Sequence, residues 1–159
     1  MRLHLIRHGQ ARPRREWRGP DRGRPLTKKG RRQAQALATR DWGPPGTVAK
    51  VISSPYLRCV ETVSPAAEHL GLEVVTDDRL AEGLYSADPS ELVQWLAGLG
   101  PTDSLICSHG DVLPELLRLM SLRGMTMDGP MACRKASVWT VEFDTEGPRH
   151  ARYTPPPSL

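Results

Sequence analysis

The chain has 159 residues, enough for one domain with its own core, and no stretch approaches the roughly 18 consecutive apolar residues of a membrane span. Its three cysteines are widely spaced, which argues against a disulfide framework and against a Cys-x-x-Cys zinc site. The sequence also starts without the apolar segment of a signal peptide. We therefore expect one cytoplasmic domain over residues 1–159, with a Pro-rich tail at 153–159 and no membrane contact.

The net charge of +4 conceals a strong asymmetry along the chain. Residues 1–40 contain eleven Arg and two Lys against Glu16 and Asp21, whereas the other 119 residues hold nine basic and sixteen acidic side chains. Such a concentration of positive charge attracts anions, for example phosphate esters, nucleotides or an acidic protein surface.

A short apolar run at residues 3–6 predicts a buried strand, which ends at Arg7, His8 and Gly9. The next segment, residues 10–25, is rich in Arg, Gly and Pro and predicts a long loop. This loop is either simply solvated or a rim that guides anions toward the strand end. Its candidate substrate contacts are Gln10, Arg12, Arg14, Arg15 and Trp17.

Thr27 predicts the cap of a helix over residues 28–41, and residues 48–52 predict a second buried strand. Ser54 and Pro55 then predict the cap and first position of a second helix, which runs to Leu70 and carries Arg58 in its first turn.

The remaining chain continues to alternate between strands and helices. A strand at 72–76 precedes a loop that contains Glu82, and Asp88 with Pro89 predicts the start of a helix to about residue 99. A strand at 104–108 is followed at once by His109. The other predictions are a helix at 111–120, an irregular segment at 121–135, a strand at 138–144 and an edge strand at 149–153. This alternation predicts an α/β fold with three layers, in which helices cover a mostly parallel central sheet with an antiparallel edge strand.

Five polar side chains follow the ends of predicted strands: Arg7, His8, Arg58, Glu82 and His109. Because the carboxyl ends of parallel strands share one edge of a sheet, we expect all five to converge. Arginines bind phosphoryl oxygens in bidentate fashion, and a neutral imidazole is a competent nucleophile near pH 7. A carboxylic acid can protonate the leaving oxygen. The set therefore predicts phosphoryl transfer without a metal.

Five sequence blocks, in this order, resemble the histidine phosphatase superfamily, also called phosphoglycerate-mutase-like. The blocks are Leu5-Ile6-Arg7-His8-Gly9-Gln10, Leu26-Thr27-Lys28-Lys29-Gly30 with Gln33-Ala34, Ser53-Ser54-Pro55-Tyr56-Leu57-Arg58-Cys59-Val60-Glu61-Thr62, Leu80-Ala81-Glu82 and Ser108-His109-Gly110. The resemblance implies that His8 is the phosphorylated nucleophile, that Arg7, Arg58 and His109 form the phosphate pocket with it, and that Glu82 donates the proton. It implies neither a metal nor another cofactor.

Two departures from the family pattern argue against mutase activity. Gln10 is followed by Ala11-Arg12-Pro13-Arg14, and only 27 positions separate Glu82 from His109. The short chain resembles the SixA-like branch, which implies a phosphohistidine phosphatase acting on phosphorylated proteins. The segments 105–115 and 134–139 also look similar to the histidine phosphatase domain that follows a Nudix domain in some actinobacterial proteins, which implies a nucleotide or another small phosphoester as substrate.

A binding module is the alternative of another class, in which the Arg-rich loop holds an anion and the pocket is inactive. One Phe and three Tyr provide no interleaved aromatic platform for bases, so the sequence argues against nucleic acid as the partner.

Overall fold

The computed structural model describes residues 1–83 and 89–159. Within these residues, strands form one sheet in the order β3-β2-β4-β1-β6-β7-β5. The strands are β1 Arg2–Arg7, β2 Val48–Ser53, β3 Val74–Thr76, β4 Asp103–Ser108, β5 Thr126–Asp128, β6 Val138–Asp144 and β7 Gly147–Thr154. The helices are α1 Lys28–Ala38, α2 Leu57–Leu70, α3 Pro89–Ala97 and α4 Val112–Leu122. None of the helices in these residues is long and apolar enough to cross a bilayer.

The central strand β1 is buried on both faces, which explains its nearly continuous apolar sequence. Leu3 and Leu5 pack into the core that α3 and α4 share, whereas Ile6 belongs to a second core with α1 and α2. Helices therefore cover both faces of the sheet, and the predicted α/β fold with three layers is confirmed.

The position of the antiparallel strand differs from the expectation. β1, β2, β3 and β4 pair in parallel, and β6 runs antiparallel to β1. The antiparallel strand is not at an edge, because β7 and then β5 extend the sheet beyond it. The predicted edge strand at 149–153 is accordingly covered by β5. The sequence did not predict β5, because its three residues are too few to show an alternation of apolar and polar side chains and are mostly exposed.

Helix boundaries follow local capping with one correction. Thr27 accepts a hydrogen bond from the Gly30 amide and caps α1, as predicted. α2 begins only at Leu57, two residues later than predicted, and Tyr56 precedes it without a side-chain cap. Ser54 lies two residues before the capping position, where its hydroxyl accepts from the Tyr56 amide at 3.3 Å and also contacts a histidine ring.

Smaller corrections concern the segments at the ends of elements. Gly71 ends α2 in the left-handed conformation, at φ 69°, as its sequence predicts. β7 extends to Thr154, so the first two residues assigned to the Pro-rich tail belong to the strand. The predicted capping residue Asp88 lies outside the described residues.

One glycine sets the distance between α1 and the chain that leaves β1. A Cβ atom at Gly30 would lie 2.1 Å from the carbonyl oxygen of Gln10. The Gln10 amide also donates to the Gln33 side chain at 2.9 Å, and the Thr27 amide donates to the Gln10 carbonyl at 2.8 Å. The start of α1 is therefore fixed directly against the residues that follow His8 and Gly9.

Candidate active site

The end of β1 is held by backbone hydrogen bonds on both sides. The His8 amide donates to the carbonyl of Ser108 at the end of β4, at 3.1 Å. On the other side, the Ala136 amide donates to the Arg7 carbonyl at 3.0 Å, and the Arg7 amide donates to the Ser137 carbonyl at 3.1 Å. Arg7 and His8 are thus placed by β4 and by the segment that leads into β6.

His8 is buried, with 7% of its surface exposed, and its ring nitrogens have different roles. Nδ1 lies 2.8 Å from the Gly9 carbonyl oxygen, which can only accept, so Nδ1 carries the proton. Nε2 is then the nitrogen with the free lone pair. Burial lowers the pKa of His8 to about 3, with further lowering by the charges of Arg58, Arg7 and Lys135 against the opposing hydrogen bond to Gly9. The ring is therefore neutral at pH 7.

His109 follows β4 and faces His8, with ring centroids 5.4 Å apart. Its Nδ1 lies 3.5 Å from Nη2 of Arg58, which can only donate, and its Nε2 lies 2.7 Å from Oγ of Ser54. These contacts favour a tautomer in which Nε2–H donates to Ser54. Burial, followed by the charges of His8 and Arg58, lowers the pKa of His109 to about 3.

Arg58, in the first turn of α2, is fully buried and bound to two carboxylates. Its Nη2 donates to Glu82 Oε2 at 2.8 Å and to Asp21 Oδ2 at 3.1 Å, and its Nη1 donates to the Asp21 carbonyl at 3.0 Å. The guanidinium carbon also lies 4.7 Å from the centre of the Tyr56 ring, a cation–π contact. Its position is therefore fixed from several sides.

Arg7 lies against the glycine that follows His109. A Cβ atom at Gly110 would come within 2.5 Å of the Arg7 guanidinium carbon. Arg7 Nη1 donates to the Cys133 carbonyl at 2.5 Å, whereas its Nε is buried without a partner among the described residues. Gly110 thus provides the space in which this guanidinium can lie.

Glu82 lies where the Arg-rich loop meets the site. Its carboxylate binds Arg58, and Nη2 of Arg14 donates to both of its oxygens at 2.7 and 2.8 Å. The side chain of Glu82 is 30% exposed, so it faces the opening of the pocket and not the core.

Asp21 is the site residue that the sequence did not predict. It lies in a 3-10 turn, Asp21–Gly23, and its Oδ1 accepts from Arg24 Nε at 2.7 Å while Oδ2 accepts from Arg58. Burial alone would raise the pKa of Asp21, but the hydrogen bond from Arg24 and the charges of Arg58, Arg24 and Arg14 lower it below the usual value. The signal available in the sequence was an isolated carboxylate within an Arg-rich segment, three positions before Arg24.

The predicted rim residues fall into three groups. Arg14 contacts Glu82, as described above, and Gln10 lies at the base of α1. Arg12 and Arg15 are exposed. Trp17 donates from Nε1 to the Pro20 carbonyl at 2.9 Å and packs within its own loop. Among the described residues, no group of three or more His, Cys, Asp or Glu side chains is arranged to hold a metal ion.

An α/β sheet with two arginines, two neutral histidines and a glutamate near the end of its central strand defines the class to which the protein belongs. The family model of the histidine phosphatase superfamily (branch 1) matches residues 3–88, and the chain belongs to this superfamily. Membership of this superfamily favours an enzyme over an inactive anion-binding module.

Two mycobacterial relatives match most of this chain. An 8-oxo-(d)GTP phosphatase from Mycolicibacterium smegmatis is 30% identical over 155 residues, which cover 96% of this chain and 48% of that protein. The chain spans about half the length of this relative and 35% of a bifunctional protein from Mycobacterium tuberculosis, to which it is 42% identical over 134 residues.

Among solved structures, the protein histidine phosphatase SixA complexed with tungstate has a TM-score of 0.73 at 21% identity and covers 97% of this chain and 94% of its own. This likeness shows the fold.

Proposed function

We propose that the protein hydrolyses phosphate monoesters, or a phosphohistidine, through a covalent phosphoryl intermediate on Nε2 of His8, without a metal. The observation that supports this proposal is the fixed tautomer of His8. Its Nδ1 proton is bound to the Gly9 carbonyl, and its pKa is lowered to about 3, so Nε2 offers a lone pair over the whole neutral range. Two arginines lie close enough for their charges to act on this ring.

In the proposed reaction, each residue of the candidate site has its own role. Arg7 and Arg58 bind the phosphoryl oxygens, and His109 adds a third polar contact. Nε2 of His8 attacks phosphorus while the bond to the leaving group breaks. Glu82, which takes up a proton from solvent once Arg58 has turned from it to the phosphoryl group, passes that proton to the leaving atom. Water then attacks the phosphohistidine, Glu82 takes up a proton, and orthophosphate and free His8 are released. Binding of the phosphoryl group requires Arg58 to exchange one or both of its carboxylate partners for phosphoryl oxygens.

A nucleotide or another small phosphoester is the first candidate substrate. The 30% identity to an 8-oxo-(d)GTP phosphatase extends over 96% of this chain. A histidine-phosphorylated protein is the second candidate. Between Glu82 and His109, the described residues form only α3 and β4, so they add no further layer above the pocket.

Turnover of p-nitrophenyl phosphate in the presence of EDTA tests the proposal directly. We expect wild-type protein to hydrolyse it, His8→Ala to lose all measurable turnover, and His69→Ala, on the exposed side of α2, to retain it. Rapid quenching of the wild type in an alkaline denaturant, in which the P–N bond is stable, should trap one phosphoryl group on the peptide that contains His8. Turnover by His8→Ala equal to that of the wild type would overturn the proposal.

The role of Glu82 is tested by changing the leaving group. We expect Glu82→Gln to slow hydrolysis of an alkyl phosphate at least about tenfold more than that of p-nitrophenyl phosphate, because a poor leaving group needs the proton more. Equal losses on the two substrates would assign Glu82 to binding alone. A parallel screen of 8-oxo-dGTP, GTP, a sugar phosphate and a phosphohistidine peptide ranks the candidate substrates.

A further inference from the structure

An open groove of about 1040 Å³ lies beside the candidate active site, between the start of α1 and the segment that precedes β6. We call it the basic groove, and its polar lining includes Gln10, Lys28, Lys29, Arg32, Arg134 and Lys135. Residues 156–159 form the remaining wall. Five of the described lining side chains are cationic and none is acidic, so the groove is a site of concentrated positive charge.

The charges of the basic groove are not neutralised by neighbouring acids. Within residues 1–83 and 89–159, none of its five cations forms an ion pair. In the Arg-rich loop, by contrast, Arg14, Arg22 and Arg24 each pair with a carboxylate. The loop therefore uses half of its six arginines internally, whereas the basic groove keeps all of its charges available for a ligand.

The basic groove is continuous with the catalytic motif through the backbone. Gln10 is two residues from His8, and Gly30 brings α1 against the carbonyl of Gln10. On the other wall, Lys135 directly precedes Ala136, whose amide donates to the carbonyls of Arg7 and His8 at 3.0 and 3.2 Å. Each wall of the groove is thus connected to the end of β1, one through two residues of chain and the other through backbone hydrogen bonds.

The electrostatics of Lys135 agree with this proximity. Burial, followed by the charges of Arg7, Arg24 and Arg58, lowers the pKa of Lys135 below its ordinary value. In turn, the charge of Lys135 contributes to the lowered pKa of His8. The charge of Lys135, in the wall of the groove, thus acts on the same histidine ring as the charges of Arg7 and Arg58.

We propose that the basic groove binds the non-transferred phosphates of a polyphosphate substrate, such as a nucleoside triphosphate, whose terminal phosphate lies at His8. The inference rests on the proposed function and specifies its substrate class. A concave site of this volume suits a small ligand. Phosphates bound there would form ion pairs with the cations of the groove, which have no partner among the described residues. An acidic protein is the competing occupant and becomes an outcome of the test.

The kinetic test compares two substrates on each variant. Lys28→Ala/Arg32→Ala removes two cations from one face of α1, and Arg118→Ala/Arg123→Ala removes two from α4 on the opposite face of the sheet. The readout is kcat/KM for GTP divided by kcat/KM for p-nitrophenyl phosphate. We expect this ratio to fall about tenfold or more in the groove variant, through KM, and to stay at the wild-type value in the control. Equal ratios in all three proteins would overturn the proposal.

A binding test separates this inference from the proposed function, because it needs no turnover. Calorimetry with inorganic tripolyphosphate should show weaker binding and a smaller salt dependence in Lys28→Ala/Arg32→Ala than in the wild type or the control, with little difference for orthophosphate. Unchanged tripolyphosphate binding, together with slower dephosphorylation of an acidic phosphohistidine protein, would overturn the inference in favour of protein docking. A wild type without any phosphatase activity would overturn the proposed function and leave this binding test intact.

Discussion

Oδ2 of Asp21 lies 3.1 Å from Nη2 of Arg58, on the same guanidinium nitrogen that donates to Glu82. The Arg-rich loop thus reaches the buried arginine of the site through a carboxylate and not through one of its own arginines. Since phosphate and carboxylate compete for the same donors, we expect Asp21 to lower the affinity of the site for anions.

Replacing Asp21 should therefore strengthen the binding of orthophosphate. We expect Asp21→Asn to lower the inhibition constant for orthophosphate about three- to tenfold at fixed ionic strength, because the anion no longer displaces a charged competitor. The control is Asp78→Asn, whose carboxylate contacts Arg22 at the surface. Inhibition that is unchanged or weaker in Asp21→Asn would show that Asp21 does not compete with phosphate.

Ser54 should be needed for the orientation of His109. We expect Ser54→Ala to lower kcat about tenfold with little change in the melting temperature, because the ring loses the hydroxyl that accepts from Nε2–H. Ser54→Thr retains the hydroxyl and should restore most of the rate. Ser64→Ala removes a hydroxyl that donates to a backbone carbonyl in α2, and it provides the matched control. Equal rates for Ser54→Ala and the wild type would contradict the assigned tautomer.

Gly110 should be needed for the position of Arg7. A methyl group there would lie 2.5 Å from the guanidinium carbon, so Gly110→Ala forces Arg7 to move. We expect kcat/KM to fall about a hundredfold for all phosphate substrates, since in the proposed mechanism Arg7 binds the group that they share. Gly98→Ala, whose Cβ would meet its nearest atom at 3.4 Å, is the control. A Gly110→Ala enzyme with normal kinetics would remove Arg7 from the phosphate pocket.

Buried histidines should make the fold sensitive to acid. The pKa values of His8 and His109 are lowered to about 3 and that of His4 to about 4, in each case first by burial. Below pH 6.5 the unfolded chain therefore binds protons that the folded chain does not, so stability is lost as the pH falls from about 6.5 toward 4. Each histidine contributes a slope of about 1.4 kcal/mol per pH unit.

Urea denaturation between pH 4.5 and 7.5 measures this slope. We expect the free energy of unfolding to fall with pH below about 6.5 and His8→Asn to reduce the slope by roughly a third, since it removes one of three such groups. Asp21, whose pKa is lowered, loses its contribution only below the usual carboxyl range and so lies outside this window. An identical slope in His8→Asn would show that His8 binds a proton in the folded state.

Most of the fold was predictable because its main elements have strong local signals. Short, mostly apolar segments mark β1, β2 and β4, and Thr27 and Gly71 mark helix ends by their backbone preferences. β5 was missed because its short, exposed sequence gains its place only by pairing with β7. For the same reason, the antiparallel strand was predicted at an edge of the sheet, whereas the structure has it in the interior.

The residues of the candidate site could be predicted from the sequence, but the side chains that contact them could not. Residues that follow strands could be found from the chain order, and the parallel sheet then brings Arg58, Glu82 and His109 together. Asp21 and Arg14 contact these residues from a loop whose sequence has no apolar periodicity. No local pattern therefore indicates that their side chains lie at the site. Ser54 was assigned to the helix cap because serine favours that position, but its hydroxyl instead contacts a ring 55 positions away.

The position of β1 in the sheet has a consequence for folding. Its two neighbours come from far along the chain, as shown by contacts between Arg2 and Asp103, 101 positions apart, and between Met1 and Phe143, 142 positions apart. Closing such long loops costs entropy before the contacts form, so strands of this kind pair late. During synthesis, we therefore expect the end of β1, which carries Arg7 and His8, to become ordered only after β4 and β6 have been made.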